Sequence, residues 1–166
     1  IEIAKKELEP SGIKVIPVED DENLNIESDR FELILNRHES FSVAEVKRIL
    51  KDEGFFITQQ VGGLNNIGLN FILGAQDYKY EEWNLTEASQ KLLEFNFKII
   101  KMKQAEVKTR FYDIGAILYY LKAIPWQIED FKVERYYDQL FSLHKFIEKQ
   151  GYLDFICNRF FIIVKK

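Results

Sequence analysis

The sequence predicts an α/β fold whose sheet is mostly parallel, with helices packed on its faces. Three observations carry this. Apolar runs of strand length alternate with segments of helical periodicity, and capping residues open the helices at Ser42, at Asn84 or Thr86, and at Asp113. The run Phe31-Glu-Leu-Ile-Leu-Asn36 is also apolar enough to be buried on both faces of a parallel sheet, which makes it the expected central strand.

The elements follow in order. Ile1 to Glu9 reads as the tail of a helix, because Ile1, Ala4 and Leu8 share a face and Glu2 can pair with Lys5 and Lys6. Pro10-Ser11-Gly12 ends it, and Ile13 to Val18 is a short β-branched strand with Pro17 at its end or on an edge. The acidic run Glu19-Asp20-Asp21-Glu22 leaves that strand as a loop. After Phe31 to Asn36, Phe41-Ser42-Val43-Ala44-Glu45 carries a capping box and a hydrophobic staple onto Val46, opening a helix whose left-handed end is expected at Gly54. Phe55 to Val61 is the next strand, completing a right-handed strand, helix, strand unit. Gly62 to Tyr80 reads as a long connection with one short helix around Ile67 to Leu73. A helix to about Phe95 exits through Asn96, and Phe97 to Phe111 is a long strand. Asp113 caps a helix stopped by Pro125. Val133 to Gln150 is the longest helix, with Tyr136, Tyr137, Leu140, His144 and Ile147 on one broad face. Phe155 to Val164 closes the chain as a strand that can run antiparallel.

The 166 residues show no internal repeat, low-complexity tract or linker, so residues 1–166 are expected to form a single domain. With 23 basic against 27 acidic residues and a net charge of −4, the chain lacks the electrostatic footprint of a nucleic-acid binder. No apolar run approaches the roughly 20 residues of a membrane helix. Cys157 is the one cysteine, which fits a reducing compartment, the cytoplasm by default, and a buried small hydrophobe. Met102 is the only methionine, so Ile1 is not an unprocessed initiator and the chain reads as starting in mid-helix.

Ligands of open α/β sheets lie outside the carboxyl ends of the strands. Three loops are therefore candidates: Glu19 to Asn23, Asn36 to Ser40, and Gln59 to Asn66. Acidic residues after a strand can accept from a ribose hydroxyl or an adenine amino group, although such a run also suits a solvated loop. His38 and Glu39 follow the most apolar strand, where a general base or a substrate contact can sit; a structural loop histidine is the competing reading. Arg110 and Tyr112, at a strand-to-helix junction, can wall a substrate or serve packing alone. There is no HExxH zinc motif, no GxGxxG and no GxxxxGK[ST], and no metal site is expected.

Taken together, three segments resemble a known pattern: Val18 to Ile34 with its acidic run, Asn36-Arg-His-Glu-Ser40, and Glu45-Val-Lys-Arg-Ile-Leu-Lys-Asp-Glu-Gly-Phe-Phe-Ile57. They resemble the class I S-adenosylmethionine-dependent methyltransferases, in the group similar to the ubiquinone and menaquinone biosynthesis enzymes. Glu45, Arg48, Leu50, Lys51 and Gly54 match the family's helix motif, while Asn25 stands where proline is usual, Glu32 where aspartate is, and Phe55 where the second glycine is. The resemblance implies a Rossmann-like sheet with an antiparallel last strand. It runs from the family's second helix to its seventh strand, without the first two strands and the glycine-rich first motif.

The resemblance further implies S-adenosyl-L-methionine as cofactor, with Glu19, Asp20 and Asp21 toward the adenine, Asn36 and Arg37 beside the methionine portion, and His38 and Glu39 facing a small-molecule acceptor. An incomplete sheet is expected to re-pair its strands, to associate through exposed edges as a homodimer, or to be completed by an N-terminal segment. Two other classes compete: a noncatalytic methyltransferase-like interaction module, and a nicotinamide-dependent oxidoreductase, which would require an all-parallel sheet end. The sequence does not name the methyl acceptor.

Overall fold

Strands form where β-branched and aromatic residues alternate, and four of them assemble into one sheet of order β1-β2-β4-β3. They are β1 (Phe31–Arg37), β2 (Leu50–Val61), β3 (Lys98–Phe111) and β4 (Leu153–Lys165). The helices are α1 (Glu2–Leu8), α2 (Val43–Ile49), α3 (Ile67–Leu73), α4 (Leu85–Glu94), α5 (Ile114–Ala123) and α6 (Tyr137–Gln150). The computed structural model describes residues 1–75 and 79–166, so residues 76–78, near the end of the connection from Gly62 to Tyr80, lie outside the described residues.

The expectation of a mostly parallel sheet is corrected. Only β1 and β2 pair in parallel; β4 runs antiparallel to both β2 and β3. The antiparallel last strand expected from the resemblance is present, and the all-parallel end required of the oxidoreductase reading is not. Ile13 to Val18, expected as a strand, is not one: it belongs to no ladder, and Ile13, Ile16 and Val18 are exposed. Its backbone has no neighbouring strand to satisfy it, and Pro17 removes one of its donors. For the same reason β1 is an edge strand rather than a central one. Its Leu33 is 51% and its Leu35 70% exposed.

Local signals at the helix ends are largely met. Ser42 accepts the Glu45 amide proton, Asn84 accepts from Thr86 and Glu87, and Asp113 from Ala116. The left-handed exit after α4 falls on Asn96, with φ 59°. The helix expected to run to Gly54 stops at Ile49 instead, leaving through an extended Leu50 straight into β2, and the left-handed residue nearby is Glu53, φ 65°, within that strand. Gly54 serves another purpose, since a Cβ there would lie 2.8 Å from the Lys51 carbonyl oxygen. The broad face expected on the last helix is also narrower: Tyr136, Leu140, Leu143 and Ile147 are buried, Tyr137 is exposed, and His144 lies half-exposed beside Glu148.

Side-chain alternation divides the sheet into two faces. Phe56, Phe160, Ile162 and Val164 point to the face covered by α2 and α4, where Val46, Ala88 and Leu92 complete a buried cluster. On the opposite face, α3, α5 and α6 cover only the end of the β3–β4 pair where Phe111 meets Leu153, through Leu69, Ile117, Leu121, Leu140, Phe111 and Phe155. The rest of that second face, with Leu33, Leu35 and Phe55, is open. The open region ends at the carboxyl ends of β1 and β2.

Candidate functional site

The segment between residues 23 and 30 contains no helix or strand, yet it is held in place by α2. Arg48 donates to the carbonyls of Ile26 (2.7 Å) and Leu24 (3.0 Å), while Glu45 accepts from the Leu24 amide (2.8 Å) and grips the Arg48 guanidinium with both oxygens (2.6 Å each). The i,i+3 spacing brings the two side chains together on one helix face. Arg48's fork, and then the Leu24 N–H, push the Glu45 carboxyl down to about 2. Because the folded pKa lies below the unfolded one, this contribution is complete above about 4.5 and lost as pH falls toward 2. Glu45→Gln is expected to flatten the stability loss in that window, leaving the variant less stable at pH 7 but less acid-sensitive in urea titrations at pH 3 to 5.

The clamp delivers the acidic run to the carboxyl end of β1. Asp21 accepts from Ser40 Oγ, and Glu22 accepts from Ser42 Oγ at 2.9 Å. Asp20 turns back to accept the Glu22 amide (2.9 Å), and Glu19 is exposed. Asn36 is fixed by its neighbours: its Oδ1 accepts from Thr58 Oγ1 (2.8 Å) and Gln60 Nε2 (2.7 Å), and its Nδ2 donates to the Ser40 carbonyl (3.3 Å). Gln60 also donates to the Glu39 carbonyl at 2.9 Å. Thr58 and Gln60 are buried, so this polar ladder locks the turn after β1 to β2.

His38 stands at the apex of that turn with φ 58°, its amide donating to the Gln59 carbonyl at 2.8 Å. Partial desolvation of the ring, and then the charges of Arg159 and Arg37, hold the His38 imidazole below its ordinary value. At neutral pH it is therefore a neutral base among cations. Asp21, Asn36, Arg37, His38 and Glu39 thus come together at one end of the sheet. Arg110 and Tyr112 do not join them. Arg110 forks onto Asp154 (2.7 and 2.9 Å) and stacks 3.7 Å over Tyr152, and Tyr112 is exposed. Arg110 is in register with Asp154, five residues from Arg159 on β4, which is about 17 Å along a strand.

The sequence reading missed a polar network behind the site. Arg159 Nη1 donates to Asn65 Oδ1 and to the Asn158 carbonyl (3.0 Å); Asn65 donates to Tyr120 Oη (3.2 Å), which donates to Gln127 (2.8 Å), and Gln127 donates to Asn70 (2.6 Å). Nothing local marks Arg159, which sits between Asn158 and Phe160 in an otherwise apolar strand. The cluster of asparagines at 65, 66 and 70 was the available signal. Cys157 is buried as expected, within hydrogen-bonding distance of Thr109 Oγ1 and Asn66 Oδ1.

The fold as a whole has solved counterparts. A protein from Bacillus halodurans C-125 assigned to the methyltransferases superimposes over 99% of this chain and 78% of its own, with TM-score 0.64 and 14% identity. The fold is that of methyltransferase structures. A protein from Galdieria sulphuraria assigned as a sarcosine dimethylglycine methyltransferase matches 99% of this chain and 65% of its own, with TM-score 0.54 and 12% identity. The [4+2]-cyclase SpnF matches over 99% and 61%, with TM-score 0.55 and 12% identity. The chain therefore spans under two thirds of the length of the latter two, and the methyltransferase-like fold is found in a cyclase as well. No family model matches the sequence, and no curated protein matches it.

Proposed function

We propose that this chain forms the acceptor-side part of an S-adenosylmethionine-dependent methyltransferase acting on a small molecule. The observation that carries the reading is the latch between the acidic run and the end of β1, through Asp21 to Ser40 and Glu22 to Ser42, within a methyltransferase-like fold. The donor set suits the cofactor: Glu19 and Asp20 are exposed carboxylates able to accept from an exocyclic amino group, while Asp21 is engaged by Ser40 and serves to shape the loop. Asn36 and Arg37 would border the methionine portion. S-adenosylmethionine supplies an electrophilic methyl group, and displacement at that carbon needs alignment more than covalent help from the protein. His38, uncharged at neutral pH, is placed to accept a proton from the acceptor, and Glu39 adjoins it.

A second reading is supported by the open sheet face with Leu33, Leu35 and Phe55: a noncatalytic module that uses the fold for protein contact. Calorimetric titration with S-adenosylmethionine separates the two. A dissociation constant near micromolar, about 8 kcal/mol, is the expected result for the enzyme reading. No heat from this chain, and none when it is joined to further upstream sequence, would leave the interaction module.

A further inference from the structure

The second face of the sheet carries cations without counter-charges at its carboxyl end. Arg37 is in register with Gln59, Gln59 with Phe161, and Val61 with Arg159, so Arg37 and Arg159 project from the same face. They are two strands apart and two residues offset, about 12 Å between Cα atoms, a gap that two arginine side chains can span from either side. His38 sits one residue beyond Arg37. Neither Arg37 nor Arg159 belongs to any ion pair among the described residues, in a chain of net charge −4 where Arg48 and Arg110 are forked onto carboxylates; Arg30 and Arg135 form no ion pair either, but neither lies on this sheet face. Arg159 is moreover held rigid. Its Nη1 is spent on Asn65 and the Asn158 carbonyl, and Asn65 is anchored through Tyr120 and Gln127 to Asn70, which is buried. Among the described residues its Nε and Nη2 donate to nothing, and they form one edge of the guanidinium fork.

A fixed fork edge on the same sheet face as a second arginine, with a histidine next to that arginine, suits a planar anion, since an anion offsets the repulsion between the cations. The nearest acidic side chain in sequence, Glu39, turns its Oε1 to its own neighbour's amide at Ser40 (3.3 Å). We propose that Arg159, with Arg37, binds a carboxylate of the molecule that receives the methyl group, placing the rest of that molecule beside His38. The substrate class is thus a small carboxylic acid. This inference rests on the methyltransferase reading for what happens to the ligand, but the anion site itself does not require it.

The test uses the 166-residue chain and follows the His38 ring by NMR during titration with acetate against sodium chloride at matched ionic strength. Acetate is expected to saturate, to raise the His38 pKa, and to bind about tenfold more weakly in Arg159→Gln. Arg159→Lys keeps the charge without the fork and is expected to fall between the two; circular dichroism checks that each variant is folded, and Arg37→Gln supplies the same comparison if neither is. Equal effects of acetate and chloride, or unchanged acetate affinity in folded Arg159 and Arg37 variants, would overturn the site. S-adenosylhomocysteine distinguishes the source of the carboxylate. If it displaces acetate, the carboxylate at Arg159 is the cofactor's and the proposal fails; if both bind together, the acceptor assignment stands. Should acetate bind while S-adenosylhomocysteine binds neither this chain nor the chain joined to further upstream sequence, the methyltransferase reading fails and with it the identification of the ligand as an acceptor, while the carboxylate site stands.

Discussion

Phe56→Ala is expected to cost about 3–5 kcal/mol, a fall in Tm of about 6–20 °C for a chain of this size. The ring is fully buried, packs edge-on against Phe41 with centroids 5.0 Å apart, and lies in the cluster with Val46, Leu92, Phe160 and Ile162 that joins α2 and α4 to the sheet. Removing it leaves a cavity that β2 cannot close, because β2 is bound by β1 on one side and β4 on the other. Trp83 shares the site, 6.3 Å from Phe41 and 5.8 Å from Phe160, so its fluorescence should shift to the red in the variant even before unfolding. Urea denaturation measures the cost; a value below about 1 kcal/mol would mean that this face is not the organising core.

Gly63→Ala is the second large effect, at about 3 kcal/mol or more, above the usual range for overpacking because the obstruction is backbone. A Cβ at residue 63 would lie 1.5 Å from the Tyr80 carbonyl oxygen, and the Gly63 amide donates to the Trp83 carbonyl at 2.7 Å. The two strands of chain are therefore in direct backbone contact, and one must move. Gly12→Ala is the control. Gly12 has φ 79° and open space around it, so its variant pays only the left-handed penalty, about 1–2 kcal/mol. Thermal melts of the two side by side decide the point: equal losses would mean that the Gly63 contact is not made in solution.

The Glu45 and Arg48 pair shows how a motif can be read correctly and understood only in three dimensions. Ser42 and Glu45 announced a helix as a capping box, and the helix is there, with the Ser42 half of the box made and the Glu45 carboxylate taken by Arg48 and Leu24 instead. That Glu45 and Arg48 hold Leu24 and Ile26, more than twenty residues earlier, depends on a return of the chain that no local pattern encodes. Arg159 is the stronger case. It occupies an unremarkable place in an apolar strand, and the hydrogen-bond chain that fixes it, from its partner Asn65 on to Tyr120 and Gln127, draws on a loop, a helix and the turn after it. Gly54 failed in the opposite direction: a glycine at a helix end suggested a left-handed cap, whereas close packing against Leu50 and Lys51 is what requires it.

What the sequence determined by itself was local: the helix caps at Ser42, Asn84 and Asp113, the short helix Ile67–Leu73, and the strand segments Phe55 to Val61, Phe97 to Phe111 and Phe155 to Val164 that fall within or nearly coincide with β2, β3 and β4. These depend on hydrogen bonds and side-chain spacings within a few residues, which composition and order specify directly. Strand order and exposure were decided by the tertiary structure. Phe31 to Arg37 has the apolarity of a central strand but stands at the edge, and Ile13 to Val18 has the residues of a strand but no partner. A strand exists only when a neighbour satisfies its backbone, so its state depends on distant parts of the chain, as does the meeting of Arg37, His38 and Arg159 at one end of the sheet.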